Sequence, residues 1–185
     1  MPGDALGPVL NQLDVWWWGS VTNRMAGLTD DEFWWEPEPG TFGLTRRDDG
    51  CFYEWPPGSR HETTPPVTTI GWRLAHMSLG CFYQRWQTYF GEPLADWTVV
   101  PFVDNAADAL AHLEEWKNQW RSSLEAAGEA FLWEPLGDRE GDIPIMQLGK
   151  ADPVINLVLH INREAMHHGA EICLLRDLYR ARNLN

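Results

Sequence analysis

The sequence predicts a single all-α domain, a four-helix bundle with long crossover loops, and three observations predict it. Apolar residues recur at three- and four-residue intervals in four separate tracts. No run of alternating apolar and polar residues is long enough to compete as a strand. Glycine and proline crowd residues 36–67, while residues 128–150 form a second irregular crossing.

The first helix is expected from about Asp4, as N-cap, to about Ala26. Leu6, Val9, Leu10, Leu13, Trp17 and Val21 form its apolar stripe, and Gly27 is a natural stop. Thr29-Asp30-Asp31-Glu32 then has capping-box spacing, so a short helical turn should carry Phe33, Trp34 and Trp35 before Pro37. Residues 36–67 hold too many breakers for a long helix or sheet, yet Phe42, Phe52, Tyr53 and Trp55 give them apolar weight. A loop of that length suggests a lid over something. The second helix should start at Thr68 or Thr69 and run to about Phe90, ahead of Gly91 and Pro93. The third is placed at about Ala106 to Ala127, with Leu110, Leu113, Trp116, Trp120 and Leu124 on one side. Asp152-Pro153, an acidic cap followed by proline at the first helical position, opens the fourth, which reaches about Arg182. With 185 residues, 44% hydrophobic, and no internal repeat, the chain suits one domain with a proper core.

Charge narrows the partners. A net charge of −13 opposes nucleic acid and anionic membrane surfaces. No stretch approaches the roughly 18 consecutive apolar residues of a membrane helix. Met1-Pro2-Gly3-Asp4 lacks the basic start of a signal peptide, so a cytoplasmic protein is expected. Cys51, Cys81 and Cys173 show no CxxC spacing and suggest neither a disulfide framework nor a thiolate zinc site. The 12 tryptophans should fill the core and the rim of any pocket, and a homodimer would suit so many aromatics.

The chemistry lies in Glu164-Ala165-Met166-His167-His168-Gly169 and in a lone His76. Residues four apart on a helix lie one above the other, so Glu164 and His168 can present a carboxylate and an imidazole to one point. That is half a metal site. A third ligand would come from a facing helix, and His76 falls in a stripe with Trp72, Leu79 and Tyr83. Three protein ligands leave a position open for chemistry. At 100° per residue His168 falls inside the stripe of Val154, Leu157, Val158, Ile161, Ala165, Ile172, Leu175 and Tyr179, whereas His167 and His160 fall toward its polar flank. Glu164, at the stripe's edge, needs a partner if buried. A metal is the simplest one, and Arg73 or Arg85 of the second helix would also serve. By the same rule Cys173, five residues after His168, points about 140° away, and no cysteine occupies a helical position that would close the site.

Trp72-Arg73-Leu74-Ala75-His76, Leu28-Thr29-Asp30-Asp31-Glu32-Phe33, and Arg163-Glu164 through His168-Gly169-Ala170-Glu171-Ile172 resemble the DinB/YfiT-like superfamily of metalloenzymes. Its members include bacterial thiol S-transferases and mycothiol-dependent maleylpyruvate isomerases. The resemblance covers all four helices but not the 36–67 loop. It implies an up-down-down-up bundle holding a divalent metal, zinc or nickel, on one histidine of the second helix and two residues four apart in the fourth. The commonest pattern there is His-x-x-x-His, from which this chain departs. The isomerase-like branch has Glu-x-x-x-His followed by an acid and an aliphatic residue, matching Glu164, His168, Glu171 and Ile172, so the ligand roles carry to His76, Glu164 and His168. The other register would put Arg163 and His167 there, and arginine cannot ligate.

The expected activity is that of a metal-dependent transferase or isomerase, in which a low-molecular-weight thiol is activated at the metal and attacks a small electrophile. Only Lys117 and Lys150 stand against twelve arginines, a bias read as genomic base composition that makes mycothiol the first choice of thiol, ahead of bacillithiol or glutathione. Trp72, Tyr83 and Tyr53 are candidates to line the thiol or substrate pocket. The alternatives are a metal-activated hydrolase and a non-catalytic metal- or ligand-binding protein.

Overall fold

Four long helices and one short turn make up most of the residues that the computed structural model describes, namely 4–54, 66–92, 99–139 and 148–183. Helix α1 covers residues 6–25, with α-helical Leu6–Asn11 and Gly19–Met25 on either side of π-helical Gln12–Trp18. The short turn α2 is Asp30–Trp34. Helix α3 covers residues 70–90, with π-helical His76–Tyr83 between α-helical Ile70–Ala75 and Gln84–Phe90. Helices α4 and α5 are Ala106–Leu132 and Val154–Asn183.

The helix ends follow the local chemistry with two exceptions. Asp152, expected to cap the fourth helix, instead accepts from the Gly149 amide at 2.7 Å, and the Val154 amide that opens α5 donates to Glu134 O at 2.9 Å. The Thr29–Glu32 capping box closes in both directions, at 3.2 Å to the Glu32 amide and 2.9 Å from the Thr29 amide. Thr69 caps α3 by accepting from the Trp72 amide at 3.2 Å, and Asn105 caps α4 by accepting from Asp108. Gly128, at φ 78°, breaks α4 just after the expected end, and one further turn reaches Leu132. Asp4 is the other. The N-cap of α1 is Ala5, whose side chain cannot cap, and the carboxylate of Glu129, from α4, accepts from the Ala5 and Leu6 amides at 3.1 and 2.8 Å. Asp4 contributes only a long contact to the Gly7 amide, 3.4 Å.

Helices α1 and α3 each pack between α4 and α5, and Trp17 meets Phe82 across the middle, ring centroids 5.9 Å apart. Two glycines permit the closest approaches. A Cβ at Gly71 would lie 2.8 Å from the Phe33 ring, and one at Gly169 would lie 2.6 Å from Trp17 Nε1. Helix α3 is the axis of the core, since every residue from Ile70 to Phe82 except Arg73 is buried. A helix enclosed on all sides has no polar face, so its sequence carries little amphipathic signal.

A small sheet qualifies the expectation of no strands. Strands β1, Thr45–Arg47, and β2, Gly50–Phe52, form an antiparallel hairpin, and β3, Pro101–Phe102, adds antiparallel to β2. Strands of two or three residues are too short to show alternation. Phe42 is stitched to the start of α3, its amide donating to Val67 O at 2.8 Å while its carbonyl accepts from Thr69 N at 3.0 Å. The described part of the expected lid is thus an anchored hairpin, and residues 55–65, with Trp55, lie outside the described residues. Among the described residues no helix is long and apolar enough to cross a membrane.

Candidate metal centre

His76 opens the π-helical segment of α3, and Glu164 and His168 stand one turn apart on α5, which packs against that segment. One donor atom from each residue falls within 4.8 Å of the others. Glu164 Oε2 lies 3.7 Å from His76 Nε2 and 3.3 Å from His168 Nε2, and the imidazoles meet edge to face at 4.7 Å. Both histidines are buried, and Glu164 is partly so. His167 and Arg163, of the alternative register, are exposed.

The outer nitrogens of both rings are occupied. His168 Nδ1 lies 2.6 Å from Glu171 Oε2, so it carries a proton and donates it to that carboxylate. Arg73 Nε neutralises Glu171 from 3.1 Å. His76 Nδ1 shares a 2.9 Å hydrogen bond with the Tyr53 hydroxyl, delivered by the residue after β2. Trp72 stacks on His76 at 11° and 5.4 Å, with Tyr53 stacked at 5.6 Å. Tyr83 belongs elsewhere, packing on Trp116 of α4 at 4.4 Å and accepting from Gln87. Of the three expected pocket residues, therefore, Tyr53 and Trp72 touch His76, and Tyr83 makes its contacts with α4.

His168 Nε2 is buried and makes no well-directed hydrogen bond, although Glu164 Oε2 is near. A buried imidazole nitrogen in that condition costs stability unless something fills the position. The electrostatics show what kind of group is wanted. Burial opposes a charge on His168, but Glu164 and Glu171 outweigh it and raise the imidazole above its usual pKa. Burial would likewise raise Glu164, yet the neighbouring His168 and His76 imidazoles hold it well below the carboxylate range. Burial pushes His76 down to about 4, so it is neutral at neutral pH. A proton on His168 thus sits between two carboxylates, in the place a divalent cation would take with the same donors. The histidine–carboxylate pair behind it, Glu171 on His168, is the arrangement that orients metal-ligating imidazoles.

Two neighbours escaped the sequence reading. His160 Nδ1 lies 3.8 Å from Glu164 Oε1, and burial pushes it down to about 4. Cys81 Sγ lies 3.8 Å from His76 Nε2, contrary to the expectation that no cysteine sits at a matching position. The reason is the helix type. Five residues correspond to about 140° on an α-helix, but i to i+5 pairing in a π-helix returns residue 81 to the side of residue 76. Cys173, at the same spacing from His168 on regular α5, lies beside Arg24 of α1 instead.

A serine–histidine contact away from this centre is structural. Ser78 Oγ meets His112 Nδ1, while Trp116 Nε1 donates to His112 Nε2 at 3.3 Å. The proton of the neutral ring is therefore on Nδ1, facing Ser78, and His112 cannot act as its base.

The model of a family described as the DinB superfamily matches residues 15–172, a stretch that contains every residue of this centre. No match was found among curated proteins or among solved structures.

Proposed function

The chain belongs to the DinB superfamily, and from that premise we propose a metal-dependent transferase or isomerase that activates a low-molecular-weight thiol toward a small electrophile. The observation that supports it best is His168 Nε2, buried, unsatisfied and facing Glu164 and His76 across a gap that fits a cation. His76 Nε2, Glu164 Oε2 and His168 Nε2 would hold a zinc- or nickel-like ion. When bound, such an ion supplies Lewis acidity and makes a nucleophile available at neutral pH.

The chain's own residues prepare that chemistry. Tyr53 and Glu171 fix the two rings with Nε2 inward. Arg73 offsets the charge of Glu171, while Glu164 turns Oε2 toward the ion and has Arg163 3.8 Å from its other oxygen. Trp72 and Tyr53 cover His76 and keep water from one side. In this reading the protein works in the cytoplasm on a mycothiol-like thiol and a small electrophile, away from nucleic acid and membranes, as its net charge of −13 favours.

Metal analysis of protein purified without added metal or chelator tests the centre. Close to one equivalent is expected, lost in His76→Ala, Glu164→Ala and His168→Ala and kept in His167→Ala. Retention in His168→Ala with loss in His167→Ala would overturn the ligand set. Turnover of a model electrophile should require added thiol, and turnover without it would replace this reading with a hydrolase.

A further inference from the structure

We propose that Cys81 is a fourth, protein-supplied ligand of the same centre, occupying the position that an external thiol would otherwise find open. The inference rests on the metal reading above and goes beyond it, because it assigns a residue and a resting state to the site.

The geometry supports it on the side of His76. The donors of His76, Glu164 and His168 lie within 4.8 Å of one another and Cys81 Sγ stands outside that group, so ligation requires its side chain to turn toward the ion. A tetrahedral ion at about 2.0 Å from a nitrogen and about 2.3 Å from a sulfur holds the two about 3.5 Å apart. Cys81 Sγ and His76 Nε2 are 3.8 Å apart. The same ion would hold a nitrogen and an oxygen about 3.3 Å apart, and His168 Nε2 and Glu164 Oε2 stand at 3.3 Å. Cys81 is buried at 5% exposure, and the thiol reaches the ligating nitrogen of His76 rather than the one held by Tyr53. The independent sign of a missing group is again His168 Nε2, buried and without a well-directed partner on the other side of the same gap.

The backbone supplies a reason for the arrangement. The π-helical segment begins at His76 and ends at Tyr83, so it spans the His76–Cys81 pair and changes its registration. Regular α-helix through the same residues would turn Cys81 away, as α5 turns Cys173 away from His168. On ligation the thiol proton leaves to solvent and a metal–thiolate bond forms. An incoming thiol that displaces Cys81 returns a proton to it, and no electron changes hands. The open position is therefore conditional on displacement of an internal sulfur.

Cobalt(II) loaded into the thiol-free protein tests this by its sulfur-to-metal charge-transfer band. The band should be present in the unaltered protein and in Cys173→Ser and absent in Cys81→Ser and Cys81→Ala, with cobalt still bound. Bound cobalt without the band, or a band that survives in Cys81→Ser, overturns the role of Cys81 and leaves the metal site standing. Failure to bind cobalt or zinc at all overturns both. X-ray absorption on the zinc-loaded unaltered protein, independent of how the variants fold, should show one sulfur at about 2.3 Å, and a shell of nitrogen and oxygen alone overturns the proposal. Adding glutathione or mycothiol to cobalt-loaded Cys81→Ser tests the thiol reading separately. A regained band supports that reading, and continued absence overturns it without touching Cys81.

Discussion

Among the carboxylates on the helices of this protein, Glu32 and Glu164 are treated in opposite ways. Glu32, buried in α2, is satisfied completely. Arg176 of α5 donates to its two oxygens at 2.9 and 3.0 Å, and the Thr29 amide adds a third bond. The same guanidinium also reaches the Arg24 and Ala26 carbonyls, which ties down the end of α1. Glu164 faces imidazoles, one of which is left with an unbonded nitrogen. A guanidinium closes a carboxylate permanently, whereas imidazoles can exchange a proton for a metal. The first pair belongs to the fold, and the second group leaves a buried imidazole nitrogen that the fold alone does not satisfy.

The comparison can be broken by removing one partner of the closed pair. Glu32→Ala leaves Arg176 buried, and a stranded charge of this kind costs about 3–5 kcal/mol. Urea unfolding should show that loss while the folded fraction keeps its metal stoichiometry. A loss below about 1 kcal/mol would mean that water rescues Arg176 and that the pair is not the closed unit described.

Acid should separate the two regions next. His76 is pushed by burial from 6.5 to about 4, so between those values the unfolded chain takes up a proton that the folded chain refuses. Stability of metal-free protein should therefore fall as pH drops from 6.5 to 4, by about 3 kcal/mol from this residue. His168 has the opposite sign. Its raised value favours protonation in the folded state above 6.5, so its contribution is complete before the His76 window opens. Burial opposes ionisation of Glu32, but Arg176 and the Thr29 amide outweigh it and hold it below the carboxylate range, so the closed pair yields only below that window. A flat stability profile from pH 6.5 to 4 would show that His76 is not buried as a neutral ring.

A smaller effect tests the support behind His168. Glu171→Gln replaces the carboxylate that orients His168 with a neutral, weaker acceptor and should weaken metal binding about 10–100-fold in a chelator competition, with little change in unfolding. Unchanged affinity would leave Glu171 as a surface partner of Arg73 alone. The smallest change is expected from His167→Ala, which should move stability by no more than about 0.5 kcal/mol and leave metal affinity intact.

Much of this was legible because it is local. Capping oxygen and helix start coincide at Thr29 and Thr69, a glycine with φ 78° ends the regular run of α4, and the stripe on α5 separates buried His168 from exposed His167. Elsewhere the determinants are distant. Glu129 caps α1 from more than 120 residues away, and no pattern near Asp4 could announce it. Tyr53 reaches His76 because two very short strands aim it there. Cys81 was lost for a different reason, since a rule of 100° per residue fails where the helix is π-wound, and a fully buried helix offers no polar face from which to recover the phase.

The bond between Glu32 and Arg176 joins residues 144 positions apart, and that span bears on how the molecule comes to be made. Contacts of such long range close late, because a large loop must be ordered before they form. The α2 turn can cap itself as soon as it is synthesised, but its carboxylate has no guanidinium until α5 emerges. His76 waits for the same helix to bring Glu164 and His168. A nascent chain that has not yet produced α5 therefore presents an unmatched anion and uncovered apolar faces of α1 and α3, the interval in which capture by a chaperone competes with aggregation. Docking of one helix ends that exposure and completes the cation site in the same event.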